Sequence, residues 1–239
     1  MAVVHTQLDI QEKGVSREGQ PQSCDRRLFM QLLAFTGCAR PEKLTPLLEE
    51  CGLQAVLYAD VNDPRGVGLL MMDEDPAAFT GKFRELLVKE PFLTLQPKQE
   101  MTMFGRTYST GRETDLEDWL LHKPRRNSLN PEWSWAIWYP LRRRPEFAIL
   151  SPEEQGKILA EHAAIGRAYG SSDLAHDVRL ACHGLDKNDN EFVIGLLGSE
   201  LYPLSRIVQD MRKTQQTAKY IRSLGPFFVG RVIWRSIFR

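Results

Sequence analysis

Apolar positions from Leu28 onward fall into an ordered series of short runs and longer stripes. Leu28–Phe35 (LFMQLLAF) is a compact apolar run closed by Thr36-Gly37, the pattern of a buried strand. Pro41–Cys51 opens on proline, carries the Leu44/Leu47/Leu48 stripe and stops at Gly52, which predicts a helix. Two strands follow, Gln54–Tyr58 and Gly66–Met72, around a turn-forming Asn62-Asp63-Pro64-Arg65-Gly66. Pro76–Val88 sets Phe79, Phe83, Leu86 and Leu87 at helical spacing, and Met101–Tyr108 alternates like a strand. The order is β-α-β-β-α-β, a ferredoxin-like unit.

The second half repeats it. Trp133–Tyr139 predicts a strand, Pro152–Tyr169 a helix, Val178–Cys182 and Phe192–Leu197 two strands around a polar turn over 184–190. Pro203 to about Ile221 predicts a helix, and Phe227–Trp234 the last strand. The fold class expected is α+β: two tandem ferredoxin-like units whose sheets pack or close on one another in a dimeric α+β-barrel type. Residues 26–112 make the first half and 132–239 the second. A linker over 113–131 holds a short helix (Leu116–Leu121) and the basic cluster Lys123-Pro124-Arg125-Arg126. Residues 1–25 are mostly polar, lack the layout of a secretory signal, and are expected to be a flexible lead-in.

Composition narrows the function. Among 239 residues, 31 Lys and Arg balance 31 Asp and Glu, so no global positive field gathers nucleic acid. No apolar run reaches the roughly 18 residues of a membrane span. Cys24, Cys38, Cys51 and Cys182 show no metal-ligand spacing, and are expected as reduced thiols of a cytoplasmic protein.

Candidate chemistry centres on the second half. His162 shares a helical stripe with Ile158, Ile165 and Tyr169. Such an imidazole can be the axial ligand of a haem iron, or a core histidine bonded to a carbonyl. Trp133, Trp135, Trp138 and Tyr139 precede Arg142-Arg143-Arg144. Core packing beside a solvated turn explains this, as does a flat aromatic pocket rimmed by guanidinium groups for a porphyrin's carboxylates, with Arg125 and Arg126 adding to the rim. An RNA-stacking surface is a third reading. Dinucleotide, P-loop, HExxH and GxSxG motifs are absent.

Several ordered segments resemble the chlorite dismutase superfamily, which includes the coproheme decarboxylases. They are Gly105-Arg106-Thr107-Tyr108-Ser109-Thr110-Gly111, Trp138-Tyr139-Pro140-Leu141-Arg142-Arg143, Leu150-Ser151-Pro152-Glu153-Glu154-Gln155, Glu161-His162 and Gly225-Pro226-Phe227-Phe228-Val229-Gly230. The spacing from His122 through His162 resembles the actinobacterial decarboxylases. The resemblance implies two ferredoxin-like halves, a homo-oligomer that is usually a pentamer, and a haem site in the C-terminal half. It places His162 on the iron ligand, Tyr139 on the tyrosine that takes hydrogen from a propionate, and His122 on the base that deprotonates peroxide. Arg143 matches a propionate-holding residue, and Arg125, Trp138 and Phe147 are expected around the macrocycle.

The cofactor implied is haem b or Fe-coproporphyrin III. The partners implied are a porphyrin substrate with hydrogen peroxide or chlorite, and neither nucleic acid nor a membrane span. Coproheme decarboxylation is the first expectation. A chlorite dismutase-like or peroxidase-like haem b enzyme, or a non-catalytic haem-binding protein, are the alternatives. Two departures bear on that choice. Arg179 stands at the offset of the dismutases' distal arginine, and Gln216 stands near their glutamate that hydrogen-bonds the ligand histidine.

Overall fold

A computed structural model describes residues 8–237. A hairpin comes first, β1 (Glu12–Val15) paired antiparallel with β2 (Pro21–Cys24). This corrects the flexible lead-in over part of its length. Glu12 holds it down, accepting from Arg106 at 2.8 Å and from the Ser109 amide at 2.9 Å.

The first half then runs β3 (Phe29–Thr36), α1 (Thr45–Glu50), β4 (Ala55–Asp60), β5 (Val67–Asp73), α2 (Lys82–Leu87), the two-residue β6 (Gln96–Pro97) and β7 (Met103–Arg106). Between the halves, a π-helical turn at Asp118–His122 leads into α3 (Lys123–Leu129). The linker helix is therefore longer than its apolar residues predicted and includes the basic cluster, with Pro124 in its first turn, where a missing N–H costs nothing. The second half runs β8 (Trp135–Arg143), α4 (Pro152–Ser171), β9 (His176–Ala181), β10 (Phe192–Gly198), α5 (Leu201–Met211), β11 (Ile221–Leu224) and β12 (Phe228–Arg235). The expected helix to Ile221 instead ends at Met211, because Thr214 bonds the Met211 carbonyl through its hydroxyl at 2.8 Å. A π-helical turn at Gln216–Tyr220 and the extra strand β11 occupy the remainder.

The order β-α-β-β-α-β occurs twice, as the hydrophobic pattern predicts, and the two sheets close on one another. Around the ring the strands follow β3-β5-β4-β12-β8-β10-β9-β7 and back to β3. One seam between halves is the β4–β12 ladder; the other is a single pairing, Arg106 with Ala181. Strand alternation then sorts the side chains. Leu28, Met30, Leu32, Tyr58, Met72, Trp138, Leu180, Cys182 and Phe228 fill the barrel interior. Gly195 makes room there, since a Cβ on it would stand 2.5 Å from the Trp138 ring.

Outside the barrel, Leu44, Leu48, Phe83, Leu86 and Phe92 seal the first half. Ile137, Tyr139, Leu141, Phe192, Leu196, Leu204 and Ile207 lie on the outer face of the second. Among the described residues no helix is long and apolar enough to cross a membrane.

Candidate functional site

Alternation on β8 sends Ala136 and Trp138 inward and Ile137, Tyr139 and Leu141 outward toward the helices. On β9, Val178 and Leu180 go inward and Ala181 outward. Register does the rest: Ile194 of β10 pairs with Tyr139 on one side and with Arg179 on the other. Tyr139, Ile194 and Arg179 therefore form one row across three strands, the outer two backbones roughly 10 Å apart at about 4.8 Å per strand. The neighbouring rows are Leu141–Phe192–Ala181 and Ile137–Leu196–Asp177.

Helix α4 packs on α5 and on β9, beside these rows. It is nucleated by a reciprocal capping box between Ser151 and Glu154, with Pro152 behind the cap. Across its 20 residues only Ile158 is buried, while His162, Ile165 and Tyr169 on the same stripe stay half-buried. A helix laid tightly on a sheet buries a stripe about 100° wide. At its junction with β9 and α5, α4 buries a narrower stripe than this.

His162 faces that junction, where Arg179 and Asp177 act on it electrostatically. Burial, followed by the Arg179 charge, lowers its pKa below the usual 6.5, so the neutral imidazole is favoured. Its Nδ1 lies 3.5 Å from Thr214 Oγ1, at the outer limit of a hydrogen bond. The Thr214 hydroxyl gives its own proton to the Met211 carbonyl. With that proton directed away, Thr214 can accept from an Nδ1–H of His162, the tautomer in which Nε2 carries the lone pair a metal would use. The residue meeting His162 is thus Thr214 and not Gln216, whose buried Oε1 has no partner.

Tyr139 is 8% exposed and stacks on Phe227 with ring centres 4.7 Å apart. Burial pushes its pKa well above the ordinary phenol value, so it keeps its proton. Arg143 lies between the Phe147 and Phe192 rings, 4.6 and 4.5 Å from their centres, with Glu191 3.6 Å away. Tyr108 is packed against Phe192 and lies within the influence of both Arg143 and Arg179. A cleft beside Arg179 is lined by Thr107, Tyr108, Trp119, Lys123 and Asp177.

Five of the expected site residues, Tyr139, His162, Arg143, Phe147 and Arg179, thus sit on or around the outer face of the second half. Three do not. Trp138 points into the barrel, fully buried, on the opposite face of β8 from Tyr139. Arg125 binds Gln54 Oε1 at 2.9 Å, Glu74 Oε1 at 3.0 Å and the Leu121 carbonyl, tying α3 to the first half. His122 is exposed at the end of its π-helical turn. Cys182 also faces the barrel, where burial pushes its thiol up to about 12 and leaves it inert. Lys123 and Trp119 join the cleft without having been expected there; the i,i+4 spacing of an aromatic and a cation is the signal the sequence holds for them.

Among the described residues no three His, Cys, Asp or Glu side chains converge on a metal position. A single imidazole beside an arginine-flanked aromatic face fits instead a metal that brings most of its own ligands.

The chlorite dismutase family profile matches residues 108–233, more than half of the chain. Coproheme decarboxylases of Oceanobacillus iheyensis and Staphylococcus carnosus are each 30% identical over 107 residues, 43% of this chain and 41% of theirs. The chain thus matches about two fifths of the length of these curated relatives. Among solved structures, a haem-binding protein from Thermus thermophilus superposes with a TM-score of 0.69 at 21% identity, covering 87% of this chain and 91% of that one. Chlorite dismutase from Candidatus Nitrospira defluvii in complex with imidazole superposes at 0.68 with 13% identity, covering 87% and 92%. These superpositions confirm the fold.

Proposed function

Because this chain belongs to the chlorite dismutase family, we propose that it is a haem-dependent oxidoreductase that decarboxylates Fe-coproporphyrin III to haem b with hydrogen peroxide. The observation that carries the reading is His162, half-buried on α4 with Arg179 and Asp177 acting on it, beside the outward-facing row Tyr139–Ile194–Arg179. Bound there, an iron tetrapyrrole would supply the chemistry with peroxide that side chains alone lack.

The protein's own groups then position and shuttle protons. Each propionate converted to a vinyl group loses carbon dioxide, two electrons and a proton, and one hydrogen peroxide takes these up with a second proton from solvent and leaves as two waters. Arg143, braced by Phe147 and Phe192, holds a carboxylate at one end of the macrocycle and so fixes its orientation. Tyr139, kept protonated by burial, gives up hydrogen as proton and electron together rather than acting as a phenolate. His122, exposed one residue before the cleft-lining Lys123, is the base that takes the peroxide proton. The domain limits of 26–112 and 132–239 are part of this reading, with the reaction on the outer face of the second half and His122 supplied by the linker over 113–131.

Mixing the apoprotein with ferric coproheme and hydrogen peroxide should give products lighter by one and then two decarboxylations. Unchanged coproheme after binding would contradict the activity. Arg179 favours a second reading, a chlorite dismutase-like enzyme, because it shares the row of Tyr139 and faces the same space. Oxygen release from chlorite that disappears in Arg179→Ala would support it.

A further inference from the structure

Lys123 has no role in the chemistry above, yet its surroundings are unusual for a lysine. Its Nζ lies 4.1 Å from the centre of the Trp119 ring, and the Arg179 guanidinium lies 4.7 Å from that same ring. One carboxylate serves both cations: Asp177 is 2.9 Å from Arg179 Nε and 3.8 Å from Lys123 Nζ. The nearby Asp118 is taken by Arg126. Lys123, Arg179 and Asp177 therefore leave one positive charge over in a cleft whose other lining groups, Thr107, Tyr108 and Trp119, are neutral. Removing a lysine from water without a matching anion is costly, and the long 3.8 Å contact leaves Lys123 poorly paired. Burial, with the Arg179 and Arg126 charges opposing the Asp177 and Asp118 charges, holds the ammonium's pKa below the usual 10.5.

The position of this charge points to its ligand. Arg179 lies in the row of Tyr139, and Lys123 stands beyond it next to Asp177, in the row of Leu196. Arg143 stands at the opposite end, over Phe192. Phe192 and Leu196 are four residues apart on β10, about 13 Å along the strand. The proposed macrocycle face thus has a cationic group at each end.

We propose that Lys123 and Arg179 form a second carboxylate-binding subsite, distinct from Arg143, that receives an acidic side chain of the tetrapyrrole on the edge away from Arg143 and makes the site selective for a porphyrin with acids on more than one edge. This rests on the haem reading of the same site. Asp177 occupies the two cations in the empty protein and yields them to the incoming carboxylate.

The test is a titration of apoprotein with metal-free coproporphyrin III, with Fe-coproporphyrin III and with haem b, which carry four, four and two carboxylates. Metal-free coproporphyrin cannot use His162, so its affinity reports on carboxylate recognition alone. In Lys123→Met both coproporphyrins should bind about tenfold more weakly while haem b changes less than twofold; Lys123→Arg should restore most of the loss. Asp177→Asn, which removes the competing carboxylate and keeps the shape, should bind coproporphyrin more tightly. Equal losses for all three porphyrins in Lys123→Met, or weaker binding in Asp177→Asn, would overturn the subsite and leave the haem reading standing. Failure of the unaltered protein to bind any of the three would overturn that reading itself, and the subsite with it.

Discussion

In the first half of the barrel, two short helices cover the sheet with Leu44, Leu48, Phe83 and Leu86, all 1% exposed or less. In the second half, α5 covers the sheet with Leu204 and Ile207, while the 20-residue α4 beside it buries Ile158 alone. One topology, used twice, carries two short, well-buried helices in one copy and a long, thinly buried one in the other. The outer core of the first copy is aliphatic and aromatic with Cys38, whereas Tyr139, Arg143, His162, Asp177 and Arg179 lie on or around the outer face of the second. The comparison teaches that the candidate site groups gather on the repeat whose long helix is thinly buried.

The largest effect should come from breaking the sealed side. Phe83→Ala removes a ring that is 1% exposed and should cost about 3–5 kcal/mol in denaturant melts. Porphyrin affinity, measured well below the melting transition, should stay the same. Ile165→Ala on α4, where the side chain is only half-buried, should cost under about 1 kcal/mol. Equal costs on both sides would remove the contrast.

Tyr139→Phe comes next. It preserves the stack on Phe227 and should leave coproheme binding unchanged while slowing decarboxylation at least about 100-fold, equivalent to ~2.7 kcal/mol of activation free energy. Product masses over time decide it, and full turnover would discard the phenol. A smaller loss, about tenfold in iron-porphyrin affinity, is expected of Thr214→Val, because the imidazole loses the group that fixes its tautomer. Metal-free porphyrin should bind that variant normally.

The smallest effect is in pH. The folded-state pKa of His162 is lowered, so above 6.5 it is neutral both folded and unfolded and contributes no pH dependence. As pH falls below 6.5 the unfolded chain takes the proton first, and stability declines until the folded-state value is passed. Acid titration of the iron–porphyrin absorbance should accordingly show ligation surviving below 6.5. A midpoint above that would mean the imidazole is not buried as described.

Much of this architecture was readable from the chain. The doubled order of elements survives local errors because the strands of the two repeated units carry their own period of apolar residues, unlike the short polar β1, β2, β6 and β11, and Pro152 with Ser151 and Glu154 marks the start of α4 plainly. Tyr139 and Arg179 sit outward by simple alternation, but that they share a row depends on how β10 pairs with both neighbours, which no local pattern fixes. Trp138 illustrates the opposite failure. Its neighbour Tyr139 is in the site, and adjacency in a strand guarantees opposite faces. Arg125 resembles part of a basic rim because charge runs show no direction; its partners Gln54 and Glu74 come from the other half. Thr214 is invisible in the sequence because a hydroxyl that caps a helix end gives no sign of the imidazole 52 residues away.

The most direct test of His162 as the iron ligand is the iron–histidine vibration of the ferrous porphyrin complex, recorded by resonance Raman in the unaltered protein and in His162→Ala. An iron–imidazole stretch should be present in the first, vanish in the second and return when free imidazole is added. The same band in both proteins would contradict the assignment.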